Sequence, residues 1–142
     1  MTRRRILIVD DEMQFTRLVR LNLEKTGCFE VQEVNDPRQA VATAELFKPD
    51  LILLDIIMPT MDGGDVAVGL KKHPMLKEVP VICLTASIMQ SEAGRQGLQS
   101  GGLLFLAKPI SVHALVEAIE SNLRKDPPLP PYLQSGDSLS AQ

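Results

Sequence analysis

Two patterns of apolar positions alternate along this chain. Short β-favouring runs occupy residues 6–9, 31–34, 51–54, 81–84 and 103–106, and longer stretches with helical spacing lie between and after them. Phe15, Leu18, Val19 and Leu23 lie near one helical stripe, on a helix expected to open after Asp11 and end at Gly27. Asp36 before Pro37 reads as a helix cap, with Ala40, Val41, Ala44 and Phe47 along one face. Residues 63–72 read as a third helix, closed by His73-Pro74, and residues 88–99 as a fourth. Ser111 caps a fifth, whose inner stripe is Leu115, Ile119 and Leu123. Such repeated strand–helix alternation predicts parallel strands joined by right-handed crossovers, a doubly wound α/β fold. The unbroken apolar runs 6–9 and 51–54 suit central strands covered by helices on both faces.

The tail changes the picture after residue 125. Residues 126–142 hold four of the ten prolines, two acids and no base. Proline lacks an amide donor and fixes φ, so this end reads as a flexible tail with two overlapping PxxP patterns. The rest of the composition is ordinary. A net charge of −3 over 142 residues is too mild for electrostatic binding of nucleic acid or an anionic membrane. The first apolar run has four residues, short of a signal core, and no run approaches a membrane span. Cys28 and Cys83 form no CxxC pair and no disulfide framework, which fits a reducing compartment. A cytoplasmic protein is expected.

In doubly wound folds the functional site lies at the carboxyl ends of the strands. That rule selects Asp10-Asp11-Glu12 after the first run, Asp55 after the third, Thr85-Ala86-Ser87 after the fourth and Lys108-Pro109 after the fifth. Each has a plain explanation alone: a helix-start acid, a strand threonine, a surface lysine. Together they predict three carboxylates, a hydroxyl and an ammonium in one pocket. Carboxylates about 4 Å apart repel by roughly 4 kcal/mol at an effective dielectric near 20, so the cluster calls for a cation. Oxygen ligands without His or Cys select Mg²⁺ or Mn²⁺. With Lys108 and Thr85 beside them, these groups could hold a transferring phosphoryl, with an aspartate as nucleophile. His73 and His113 have no partner ligands in sequence and read as structural or surface residues.

These residues resemble the receiver domain of two-component response regulators over about 120 residues. Asp10-Asp11 resembles the family's acidic pair. Asp55-Ile56-Ile57-Met58-Pro59-Thr60-Met61-Asp62-Gly63 resembles the DxxMPxMDG signature, Leu84-Thr85-Ala86 the hydroxyl followed by a small residue, and Lys108-Pro109 the family's Lys-Pro. Phe105 takes the aromatic switch position. The resemblance implies a flavodoxin-like sheet of five parallel strands, order 2-1-3-4-5, with five helices, a receiver unit at 4–125 and a tail at 126–142. It implies a signalling phosphoacceptor, not an enzyme with a separate substrate, in which Asp55 accepts phosphate from a sensor histidine kinase or phosphotransfer protein. Asp10, Asp11, Asp55 and the carbonyl of Ile57 would bind Mg²⁺, or Mn²⁺. Thr85 and Lys108 would hold phosphoryl oxygens, and Thr85 and Phe105 would remodel the face made by the fourth helix, fifth strand and fifth helix. A downstream protein would dock there, or a second copy of the chain, with no nucleic acid contact and no membrane insertion.

Some positions depart from the family pattern. Gly101-Gly102-Leu103-Leu104-Phe105 stands where members often read Gly-Ala-Asp-Asp-aromatic, and apolar Ile57 stands where a polar side chain is frequent. Ile57 predicts slow loss of the phosphoryl group. No output domain follows the body, so the chain reads either as a stand-alone regulator or as part of a longer one. Other readings are an unphosphorylated scaffold, a nucleotide- or flavin-binding module and an aspartyl phosphatase. The acidic first loop without GxGxxG or GxxxxGK[ST] disfavours the nucleotide or flavin module, and Ile57 in place of a second aspartate disfavours the phosphatase.

Overall fold

The computed structural model describes residues 3–56, 63–85, 98–100, 103–108 and 110–123. Six strands form one sheet: β1 (Arg4–Val9), β2 (Phe29–Val34), β3 (Leu51–Asp55), β4 (Val81–Thr85), β5 (Leu98–Ser100) and β6 (Leu103–Ala107). Four α-helices lie among the described residues: α1 (Met13–Lys25), α2 (Ala40–Phe47), α3 (Gly63–Lys72) and α4 (Val112–Leu123). The sheet order is β2-β1-β3-β4-β6-β5. Pairings β2–β1, β1–β3, β3–β4 and β4–β6 are all parallel, which gives the expected five-stranded order 2-1-3-4-5.

One expectation is corrected at the sheet edge. Leu98 and Gln99 do not continue a helix over 88–99. They belong to β5, which pairs antiparallel with β6 through Leu98–Phe105, Gln99–Leu104 and Ser100–Leu103. The pairing satisfies part of the β6 edge that would otherwise present unpaired amides and carbonyls. Gly101 and Gly102, which stand between the paired Ser100 and Leu103 in sequence, lie outside the described residues. Residues 88–97, the tail, Ile57 and Pro109 lie outside the described residues.

Burial on both sheet faces divides the core into two. On one face Ile6, Ile8, Leu51, Leu53, Ile82, Leu84, Leu104 and Leu106 pack with Val19 and Leu23 of α1 and Leu115 and Ile119 of α4. On the other, Leu7, Val9, Ile52, Leu54, Val81 and Cys83 pack with Ala40 and Ala44 of α2 and Val66, Ala67 and Leu70 of α3. The caps follow the sequence. The Asp36 carboxylate accepts from the Arg38 amide ahead of a 3-10 turn over Pro37–Gln39, and the Ser111 hydroxyl accepts from the Ala114 amide at 3.1 Å. Helix α1 differs from expectation in its buried stripe, which is Thr16, Val19 and Leu23, whereas Leu18 is 56% exposed. Leu18 and Val19 point about 100° apart, so only one of the two can face the sheet.

The two cysteines sit in contrasting surroundings. Cys28 is exposed, whereas Cys83 lies in β4 with its thiol pushed up to about 11 by burial. Because the thiolate is the reactive form, a thiol reagent at neutral pH is expected to label Cys28 alone in the native protein. Cys83 should react only on denaturation. Mass spectrometry of native and urea-treated samples checks this, and equal native labelling of both would contradict the burial of β4.

Candidate functional site: an acidic pocket at the strand ends

Four side chains converge at the carboxyl end of the sheet. Asp10 follows β1 and is 1% exposed, and Asp55 closes β3 at 6%. Asp11, half-buried, completes a cluster in which one carboxylate oxygen from each aspartate lies within 4.8 Å of the other two. Lys108 follows β6 and reaches back into this cluster. Its Nζ donates to Asp10 Oδ2 at 2.6 Å and lies 3.7 Å from Asp55 Oδ2 and 3.4 Å from Glu12 Oε1. The Phe15 ring of α1 lies beneath the same ammonium, 4.3 Å from its centroid.

The electrostatics follow from burial. Desolvation raises the Asp10 carboxyl above the ordinary aspartate range, and the Lys108 bond and the Glu12 amide only partly offset it. That amide donates to Asp10 Oδ1 at 2.9 Å. Burial also acts to depress Lys108, but its bond to Asp10 and the charges of Asp10, Asp55 and Glu12 outweigh this and raise it. The lysine therefore stays charged beside the three carboxylates. An oxygen-only set of this kind suits a hard divalent cation.

Thr85 ends β4, and its main chain pairs with Ala107, the residue before Lys108. Phe105 is half-buried and packs on the α2/α3 side of the sheet, opposite Cys83 in the neighbouring strand. The histidines lie apart from the pocket. His73 Nε2 meets Glu45 at 2.6 Å, and exposed His113 lies 3.7 Å from Glu117 on α4.

Sequence reading passed over a supporting network beside the pocket. Asn35, directly after β2, donates to the Asp10 carbonyl at 2.8 Å and to the buried Thr16 hydroxyl at 3.0 Å. The Thr16 hydroxyl donates to Glu33 Oε1 at 2.7 Å, and Arg20 Nη1 donates to Glu33 Oε2 at 3.1 Å. Asn35 thereby fixes the backbone from which Asp10 and Asp11 project. The strand-end rule applied to β2 would have selected it. Phe15 carried the signal of a core aromatic and nothing more.

Residues 6–120 match the response regulator receiver domain. The chain belongs to this family. It is 34% identical over 136 residues to the DNA-binding dual master transcriptional regulator RpaA of Synechocystis, with 96% of this chain and 56% of that protein covered. It is 37% identical over 123 residues to the phosphate regulon transcriptional regulatory protein PhoB of Pseudomonas aeruginosa, covering 87% of this chain and 53% of that protein. This receiver thus spans about half the length of the curated relatives it matches. Among solved structures it resembles the chemotaxis response regulator CheY4 of Vibrio cholerae, at 26% identity and TM-score 0.72, with 84% of this chain and 98% of that one covered. A response regulator from Desulfuromonas acetoxidans aligns with TM-score 0.71 at 28% identity, covering 85% and 97%. Among the described residues of the receiver, no helix is long and apolar enough to cross a membrane.

Proposed function

We propose that this receiver is a phosphoacceptor, in which Asp55 takes a phosphoryl group from a phosphohistidine of a sensor kinase or phosphotransfer protein. The observation that carries this reading is the cluster of buried Asp10 and Asp55 with half-buried Asp11, and Lys108 reaching into it. An Asp55 carboxylate oxygen attacks phosphorus, the phosphorus–nitrogen bond breaks, and its electron pair returns to the donor imidazole, leaving an acyl phosphate. Asp10, Asp11, Asp55 and the Ile57 carbonyl would hold Mg²⁺, or Mn²⁺ in its place. When bound, the ion supplies the positive charge that lets a phosphoryl group approach three carboxylates. Lys108 leaves Asp10 for a phosphoryl oxygen, and the Thr85 hydroxyl binds another. Thr85 and Phe105 then pass the change to the surface made by β6 and α4, where a downstream protein docks. Residues 4–125 act as the receiver unit and 126–142 as a tail.

The half-length match to transcriptional regulators favours a second reading of context, in which this receiver is the input part of a longer regulator. The mass of the protein in native cell extract separates that reading from a stand-alone regulator.

Acetyl phosphate with Mg²⁺ tests the chemistry, read by intact mass. One phosphoryl group is expected, removable by hydroxylamine as an acyl phosphate and absent when a chelator replaces the metal. No mass gain, or undiminished labelling under chelation, would overturn the proposal.

A further inference from the structure

The geometry points to Phe15 as the positioning residue for Lys108: a floor for the ammonium that makes no demand on its hydrogens. The inference rests on the phosphoacceptor reading for its consequence, though not for the contact itself. Lys108 Nζ sits 4.3 Å from the Phe15 ring centroid, within the distance at which an aromatic face attracts a cation. Phe15 lies in the first turns of α1, with its amide bonded to the Glu12 carbonyl at 3.1 Å, and its half-buried side chain packs against the core. The ring is therefore held in place from both backbone and side chain.

The physical argument concerns what a lysine must do in this pocket. Among the described residues, its other polar neighbours are carboxylates: Asp10 at 2.6 Å, Glu12 at 3.4 Å and Asp55 at 3.7 Å. Each of these competes for the N–H groups that a phosphoryl oxygen would need. A ring face attracts the charge as a whole through its quadrupole and leaves all three N–H groups free to reorient. The ammonium can then swing from Asp10 toward a phosphoryl group on Asp55 without leaving its seat. An aliphatic floor would lack that attraction, and the ammonium would be left to the carboxylates that compete for its N–H groups.

Replacing Phe15 with mono-, di- and trifluorophenylalanine weakens the ring quadrupole stepwise while keeping its shape and the core packing. Labelling by acetyl phosphate with Mg²⁺ should slow in the same order, about three- to tenfold at trifluorophenylalanine. The acetyl phosphate concentration giving half the maximal rate should rise. Phe15→Tyr should retain the wild-type rate and Phe15→Leu should lose it. Equal rates across the fluorinated series, in protein whose wild type labels normally, would overturn the proposal. A second measurement is independent of phosphorylation. The Cε protons of Lys108 should be shifted upfield by the Phe15 ring current in wild type, and restored in Phe15→Leu. Unshifted Cε protons would overturn the inference even if labelling proceeds. The shift in a protein that takes no phosphate would leave the contact standing and remove the phosphoacceptor reading.

Discussion

Asparagine at position 55 is expected to abolish covalent phosphorylation while leaving the fold intact. Asp55 closes a fully buried strand, so its carboxylate is held at the pocket floor with little freedom to move. The amide has nearly the same shape but is a far poorer nucleophile toward phosphorus. Removing one of three clustered charges also removes repulsion from Asp10 and Asp11. Against this stands the loss of attraction to Lys108 at 3.7 Å. The melting temperature without metal should therefore stay near the wild-type value. Intact mass after acetyl phosphate and Mg²⁺ gives the answer. A mutant that gains a full phosphoryl group would place the acceptor elsewhere.

Replacing Lys108 with methionine should instead strike stability first, and more severely without metal than with it. Among the described residues, the ammonium is the only cation paired with Asp10, a carboxylate with 1% of its surface in solvent. Breaking a buried pair by removing one partner costs about 3–5 kcal/mol, because the remaining charge is left uncompensated. The Lys108 side chain keeps 14% exposure at the pocket mouth, which favours the low end, about 3 kcal/mol. Millimolar Mg²⁺ should recover much of this, since a ligand that binds only the folded state raises its stability by mass action. Urea midpoints of both proteins with and without Mg²⁺ provide the measurement. Equal midpoints in metal-free buffer would show that Lys108 does not neutralise the cluster.

These effects hinge on residues that differ in how plainly the sequence announces them. The central strands were legible because 6–9 and 51–54 are apolar at every position, and the acids that follow each run fall where a parallel sheet puts its site. Asp36-Pro37 and Ser111 were legible as caps because capping uses local hydrogen bonds. Strand β5 was not. Three residues carry no period of their own, and Leu98–Ser100 is a strand only because β6 lies beside it. Thr16 was missed for a related reason. Its hydroxyl reads as polar, and its burial is tolerable because Asn35, Glu33 and the Met13 carbonyl supply partners. The Phe15–Lys108 contact joins residues at opposite ends of the domain, beyond any local pattern.

Burial of the central strands on both faces also bears on how the chain avoids misfolding. In a sheet with one wet face, a slip by one residue would expose apolar side chains and be rejected at once. Here Ile6 and Ile8 could trade places with Leu7 and Val9 at small cost, because both sides of β1 are apolar. What forbids the exchange is the charge at either end. Arg5 precedes the run and Asp10 follows it; Asp50 and Asp55 bracket the apolar residues of β3 in the same way. A slip in either direction would drag a charged group into the sheet interior, where an unpaired ion is far costlier than a misplaced methyl. The acids of the pocket thus also act as stops on the register of the strands.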